Sequence, residues 1–301
     1  MPDDFHSAPQ KALKYQLILE KKIQLLSFYV AWGAGNGMPD IAGINEVIQS
    51  GFVPIITWEP WWPQKLSDER RPENQPEFSL SAILSGKYED YIWNWALDLK
   101  KVQSPVFFRP MHEMNGNWYP WCGNVNGNSP EEYIDTWRYI RSIFKKAQND
   151  RLVWVWSPYA HSVPEEAGND IGQYFPGDQE VDWLSLDGYN WGTSREWSSW
   201  QSFREIFQHG YERLIQLAPE KLFMIAETGC AEEGGDKSGW IKESFEVLND
   251  RFSRIKALVW FNVNKECDWR IESSQQSVSS FKKSWSPVTN ENIRVDIRNM
   301  K

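Results

Sequence analysis

The most constraining feature of this chain is a recurring alternation. Short apolar runs rich in β-branched and aromatic residues are separated by longer segments with helical periodicity. The runs are Leu25–Ala31, Val53–Trp58, Pro105–Arg109, Leu152–Trp156, Trp183–Asp187, Leu222–Glu227 and Ala257–Asn262. Near-continuous apolar runs of this length fit strands covered on both faces, hence a parallel sheet. Helices are predicted over Ile41–Ser50, Lys87–Lys101, Pro130–Gln148, Ser202–Leu217 and Gly239–Asp250. The third opens with Ser129-Pro130-Glu131-Glu132, an N-cap serine, a proline at the first helical position and acidic residues in the first turn. The alternation predicts an α/β fold: a (β/α)8 TIM barrel, one catalytic domain over residues 1–301, with a doubly wound open sheet as the alternative. Seven runs are visible where such a barrel wants eight. The gaps between runs are already filled, so the eighth is expected at the N-terminus. Residues 1–10 make a poor strand, which leaves a first strand that is degenerate or missing.

Composition narrows the function. The formal net charge is −9, which argues against nucleic acid and anionic membrane as partners. No apolar stretch of about 18 residues is present to span a bilayer. Tryptophan is abnormal at 19 residues, alongside 11 Tyr and 15 Phe. Buried indoles need hydrogen-bond partners, so many of these rings are expected half exposed. An acidic surface with flat apolar rings suits neutral polyhydroxyl ligands such as sugars. Cys122, Cys230 and Cys267 are far apart and lack CxxC spacing, which indicates neither a zinc site nor a disulfide framework. Three incidental thiols are expected, with one disulfide plus a free thiol as the alternative. The polar start MPDDFHSAPQ is no secretory signal. A polymer substrate favours an extracellular protein whose signal peptide is absent from this chain, against a cytoplasmic one.

In parallel α/β barrels chemistry collects where strands end. Here almost every predicted strand end carries a carboxylate, an amide or a tryptophan. Such polar groups cost stability at buried positions unless they are used or paired. Glu113 and Glu227 stand out as the pair that glycoside hydrolysis needs, one a proton donor with a raised pKa and one an ionised partner. Glu113 lies among His112, Trp118 and Trp121 and would be the acid/base. Glu227 ends an apolar run and would be the nucleophile, with Arg109 available to hold a carboxylate ionised. Structural ion pairing is the competing reading for each. His112-Glu113 begins a zinc-like HExxH, but position 116 is Gly, so no metal is expected. Gly33–Gly37 is not a dinucleotide fingerprint and reads as a turn; no cofactor is implied. The strand-end residues Trp58, Glu59, Asn115, Tyr119, Asp187, Asn190 and Asn264 are candidates for substrate contacts.

At these residues the sequence resembles glycoside hydrolase family 26. The resemblance rests on ITWEPW (56–61), RPMHEMNGNWYPW (109–121), VDWLSLDGYNWG (181–192), MIAETG (224–229) and VWFNVNKECDWRI (259–271). It implies a (β/α)8 barrel and retaining hydrolysis of a β-glycan by a protein expected to be monomeric. It implies the roles already given to Glu113 and Glu227. It adds His112 and Tyr189 as positioners of the carboxylates, and Trp118, Trp191 and Trp260 as walls of the sugar sites, with Trp260 under the attacked ring. NWYPW and the stretches DGYNWGTSREW and NKECDWRIESS look more like the family's mixed-linkage β-1,3-1,4-glucanase branch than its mannanases. A first strand upstream of this region is the family's usual pattern and the main departure here.

Overall fold

The computed structural model describes residues 4–33, 37–63 and 71–285. Most of the expected glycine-rich turn, residues 34–36, lies outside them. Seven parallel strands form one sheet in sequential order: β1 (Leu25–Ala31), β2 (Val53–Glu59), β3 (Val106–Pro110), β4 (Leu152–Trp156), β5 (Trp183–Asn190), β6 (Leu222–Cys230) and β7 (Ile255–Trp260). Each connection returns the chain to the same end of the sheet, as parallel pairing requires.

Around the sheet lie α1 (Ala8–Leu19), α2 (Ile41–Gln49), α3 (Leu80–Leu84), α4 (Glu89–Leu99), α5 (Pro130–Lys146), α6 (Phe203–Leu217), α7 (Lys237–Asp250) and α8 (Gln275–Ser284). The expected capping signals are present. The Ser129 hydroxyl accepts from the Glu132 N–H while the Glu132 carboxylate accepts from the Ser129 N–H, and Ser202 with Glu205 repeats the arrangement on α6. No helix among the described residues is long and apolar enough to cross a membrane.

Strand alternation divides the core in two. Ile55, Phe107, Val153, Val155, Trp183, Met224 and Ala226 point inward and fill the barrel's interior. Their neighbours Ile56, Trp58, Phe108, Trp154, Leu184 and Ile225 point outward against the helices.

The fold is the expected barrel type, curled so that β1 and β7 face one another. The described residues form no ladder between them, and this seam is where an eighth strand belongs. Residues 4–10 do not supply it, because α1 has begun by Ala8. The helical layer is closed over the seam instead. Tyr15 of α1 donates to Glu272 at 2.9 Å, Lys21 donates to the Trp285 carbonyl at 2.9 Å, and Lys282 of α8 pairs with Glu20 at 2.7 Å. All three cysteines are free thiols, Cys122 and Cys230 buried.

Candidate active site

Above the apolar plug the inward positions turn polar: Thr57 and Glu59 on β2, Arg109 on β3, Ser157 after β4, Asp187 on β5 and Glu227 on β6. Glu227 reaches the interior through an irregularity. Leu186 pairs with Ile225 but Asp187 pairs with Glu227, so β6 carries one extra residue there. Ala226 faces inward, and without the bulge plain alternation would send Glu227 outward. Bulges of this kind re-aim side chains beside active sites.

Arg109 is fully buried and is the electrostatic centre. It donates to Asp187 at 2.6 Å, to Thr57 at 3.0 Å, to Ser157 at 3.2 Å and to a carboxylate oxygen of Glu227. The flanking carboxylates hold its pKa well above the ordinary value against desolvation. The second Glu227 oxygen accepts from the Tyr189 hydroxyl at 2.6 Å. His112, Asp187 and Glu227 place ligand atoms within 4.8 Å of one another, a metal-like spacing. Arg109 already donates to both carboxylates and supplies the positive charge at that point.

Glu113 stands opposite, on the segment after β3. Met111 and Glu113 both adopt left-handed backbone, φ 48° and 54°, a conformation that costs energy for non-glycine residues and clusters at functional sites. The neighbours over-determine it. Met111 N–H donates to Trp58 O at 3.0 Å, Glu113 N–H to Ser157 O at 2.7 Å, and Trp121 Nε1 to His112 O at 2.7 Å. The Trp118 indole folds back and donates to Glu113 Oε2 at 2.7 Å. Gly116 permits this, since a Cβ there would lie 2.5 Å from the Trp118 ring. Burial, together with the charges of Asp187 and Glu227, raises the Glu113 pKa well above the carboxylate range. Glu113 is thus pushed toward its protonated form, while Glu227 has two donors on its carboxylate.

His112 Nε2 lies 4.0 Å from both Glu59 Oε1 and Glu227 Oε1. Burial and then Arg109 push its pKa well down, so it is neutral. Glu59 is raised by burial to about 7, with Trp61 Nε1 donating to it at 3.2 Å. Tyr119 stacks on Trp121 with centroids 4.3 Å apart and packs on His112 at 4.9 Å.

The structure thus gathers Arg109, His112, Glu113, Trp118, Tyr119, Tyr189, Glu227 and Glu59 at one end of the barrel. Trp191 stands at the edge, its ring centroid 6.4 Å from that of Tyr189. Other expected contacts are corrected. Trp58 has no exposed surface and packs outward against Trp32, Trp95 and Phe108, because it shares strand parity with Ile56 rather than Glu59. Trp260 also points outward, against Trp240 and Phe281 of the helical layer. The next residue, Phe261, turns inward to Tyr189. Asp187 is fully buried beneath Arg109 and Ser157, positioning charge rather than facing a ligand. Asn115 braces the chain at Tyr159, and Asn190 braces Gly192 and Gln201. Asn264 is exposed in a bridge with Asp268.

Tyr29 is the residue that sequence reasoning missed. It lies on β1 within 5.9 Å of the Arg109 guanidinium, with its ring edge-on to Phe261. Burial and the Glu227 charge push its hydroxyl pKa well up. The signal was its alternation with Leu25 and Ser27, inside a strand rather than after one.

Comparison with known proteins agrees with this geometry. The sequence profile described as glycosyl hydrolase family 26 matches residues 74–285. Endoglucanase H of Acetivibrio thermocellus is 33% identical over 281 residues, 91% of this chain and 29% of that protein. A mannan endo-1,4-beta-mannosidase of Bacillus subtilis is 29% identical over 219 residues, 68% of this chain and 51% of its own length. The chain thus spans only about a third to a half of these curated relatives. Among solved structures, the Bacillus subtilis mannanase superposes with a TM-score of 0.64 at 19% identity, covering 93% of this chain and 81% of that one. A modular endo-beta-1,4-mannanase from Cellulomonas fimi gives 0.66 at 16%, covering 90% and 65%; at such identities the likeness is one of fold. With the profile covering most of the chain, this protein belongs to glycosyl hydrolase family 26.

Proposed function

We propose that this chain is a retaining, endo-acting β-glycan hydrolase whose substrate is mixed-linkage β-1,3-1,4-glucan. The observation that carries the reading is the asymmetry of the two carboxyl groups. Glu113 is buried, pushed toward its protonated form and held by Trp118, while Glu227 receives hydrogen bonds from Arg109 and Tyr189. That is the division of labour a double displacement needs.

Glu227 attacks the anomeric carbon as Glu113 delivers its proton to the departing glycosidic oxygen. A glycosyl ester forms on Glu227 and the leaving chain departs as an alcohol. Glu113, now a carboxylate, takes a proton from water. The resulting hydroxide equivalent releases the sugar with its configuration retained and restores both groups. Tyr189 and Arg109 hold the Glu227 carboxylate in place before attack and after release. His112, neutral, packs beside it as a positioning residue.

The glucan preference is supported by the loop sequences and by the name of the Acetivibrio relative, an endoglucanase matched along 91% of this chain. The second reading, an endo-β-1,4-mannanase, is supported by the Bacillus and Caldalkalibacillus relatives named mannan endo-1,4-beta-mannosidases. The test is release of reducing ends from barley glucan, glucomannan and linear mannan in parallel. Glucan cleavage with β-configured first products, followed by NMR, is expected. Cleavage of linear mannan alone would replace the first reading with the second, and α-configured products would overturn the mechanism. The acid/base role has its own signature. Activity should fall on the alkaline side as Glu113 loses its proton. Glu113→Gln should lower kcat on the polymer by about 10²–10⁴-fold, and Glu113→Ala should regain turnover of an activated aryl glycoside when azide is added.

A further inference from the structure

Trp197 is exposed to 72%. It belongs to the segment 191–201 that joins β5 to α6, and that segment is firmly held. Asn190 Oδ1 accepts from both Gly192 N–H and Gln201 N–H at 3.1 Å, clamping the two ends together. Ser198 donates to Gly192 O at 2.8 Å and to Arg195 O at 3.1 Å. Gly192 has φ 54° and passes so close to Glu233 O that a Cβ would lie 1.8 Å from it. A rigid loop therefore presents a large indole to water. That costs hydration free energy unless the ring is used.

The ring is also continuous with the site. Trp197 lies 5.2 Å from Trp191, which lies 4.8 Å from buried Trp269, which lies 4.9 Å from Tyr189, the donor to Glu227. Arg195 caps Trp191 at 5.6 Å and anchors itself on Glu266 O at 2.6 Å, so the row is braced from both sides. Among the described residues the other large exposed apolar side chains, Leu13, Leu17, Trp93 and Leu97, lie on α1 and α4 rather than on this loop. One flat ring in a polar loop is too small an apolar patch for a stable protein interface. It is the right size for one pyranose face.

From this row we infer that Trp197 is an outlying glycan subsite: its indole stacks on a sugar of the same β-glycan chain that Trp191 leads toward Glu227. The inference rests on the proposed glycanase function and extends the ligand it takes from the rings at the carboxylates to a longer segment of polymer.

The test compares the wild type, Trp197→Ala and Trp197→Phe on barley glucan and on its purified oligosaccharides of increasing length, with melting temperature as the folding control. In Trp197→Ala, KM for the polymer should rise about tenfold, the equivalent of 1.4 kcal/mol. Trp197→Phe should recover part of the loss, and the penalty should shrink as the oligosaccharide shortens. Retardation of Glu113→Gln in glucan-containing native gels, weakened by adding Trp197→Ala, reads binding without turnover. A wild type that cleaves the polymer while Trp197→Ala keeps its KM, length dependence and retardation overturns the subsite. So does a variant that changes only self-association on size exclusion. A wild type inert on every β-glycan overturns the glycanase reading itself and the subsite with it.

Discussion

Arg109 is a guanidinium with no exposed surface whose donors reach Thr57, Ser157, Asp187 and Glu227. Removing it leaves two buried carboxylates close together with no cation between them. Breaking a buried pair in this way costs about 3–5 kcal/mol. Arg109→Met is therefore expected to lose that much stability in denaturant unfolding, and its activity with it. Glu227→Gln keeps the shape and leaves Asp187 to balance Arg109. It should lose turnover by orders of magnitude while its unfolding midpoint barely moves. A Glu227→Gln protein as unstable as Arg109→Met would mean that Glu227 is chiefly a structural partner. Glycine matters at this scale too. Gly116, which breaks the zinc-like spacing in the sequence, is what lets Trp118 fold onto Glu113.

At the scale of elements, the strands and most helices were legible because an apolar run and a cap are local signals. Ser129 and Ser202 mark their helices before any fold is known. The weakly amphipathic α1 has no side-chain cap, α3 is capped by Ser79 but spans only five residues, and α8, which is amphipathic, was passed over. Glu113 and Glu227 were singled out because strand ends concentrate chemistry, and the structure brings both to the same end of the barrel. Trp58 and Trp260 were misplaced because residue type alone does not say which face of a strand a side chain takes. Parity counted from Ile55 and Val259 would have turned both outward. The bulge in β6 was out of reach, since it follows from the pairing of β5 with β6 and not from either strand. The seam also belongs to this scale. Backbone amides of β1 and β7 that face it have no ladder partner among the described residues. In hydrogen exchange they should lose protection well before the amides of β3 to β5. Equal protection across all seven strands would show that the seam is filled in solution.

For the whole molecule, the buried acids link stability to pH. Burial raises Glu59 from 4.5 to about 7. Its folded form prefers the proton more than its unfolded form does, so its contribution is fully present below about 4.5 and is lost as pH rises through about 7. The shift corresponds to roughly 3 kcal/mol. Glu59→Gln, neutral throughout, should melt above the wild type at pH 8, and the two should converge toward pH 5. Parallel melting curves across that window would place the Glu59 carboxyl in water rather than in the site.

The reach of Arg109 has a consequence for how the molecule can change. Its partners lie on β2, β5 and β6 and just past β4, and it stands on β3 itself. The chemistry is thus fastened to a five-strand arch, and the two strands that border the seam lie outside it. Breathing at the β1 edge reaches the site through Tyr29, whose ring lies 5.9 Å from the Arg109 guanidinium, and not through the hydrogen bonds of Arg109 itself. A change in how the ring is completed at the seam should therefore leave the hydrogen bonds of Arg109 in place.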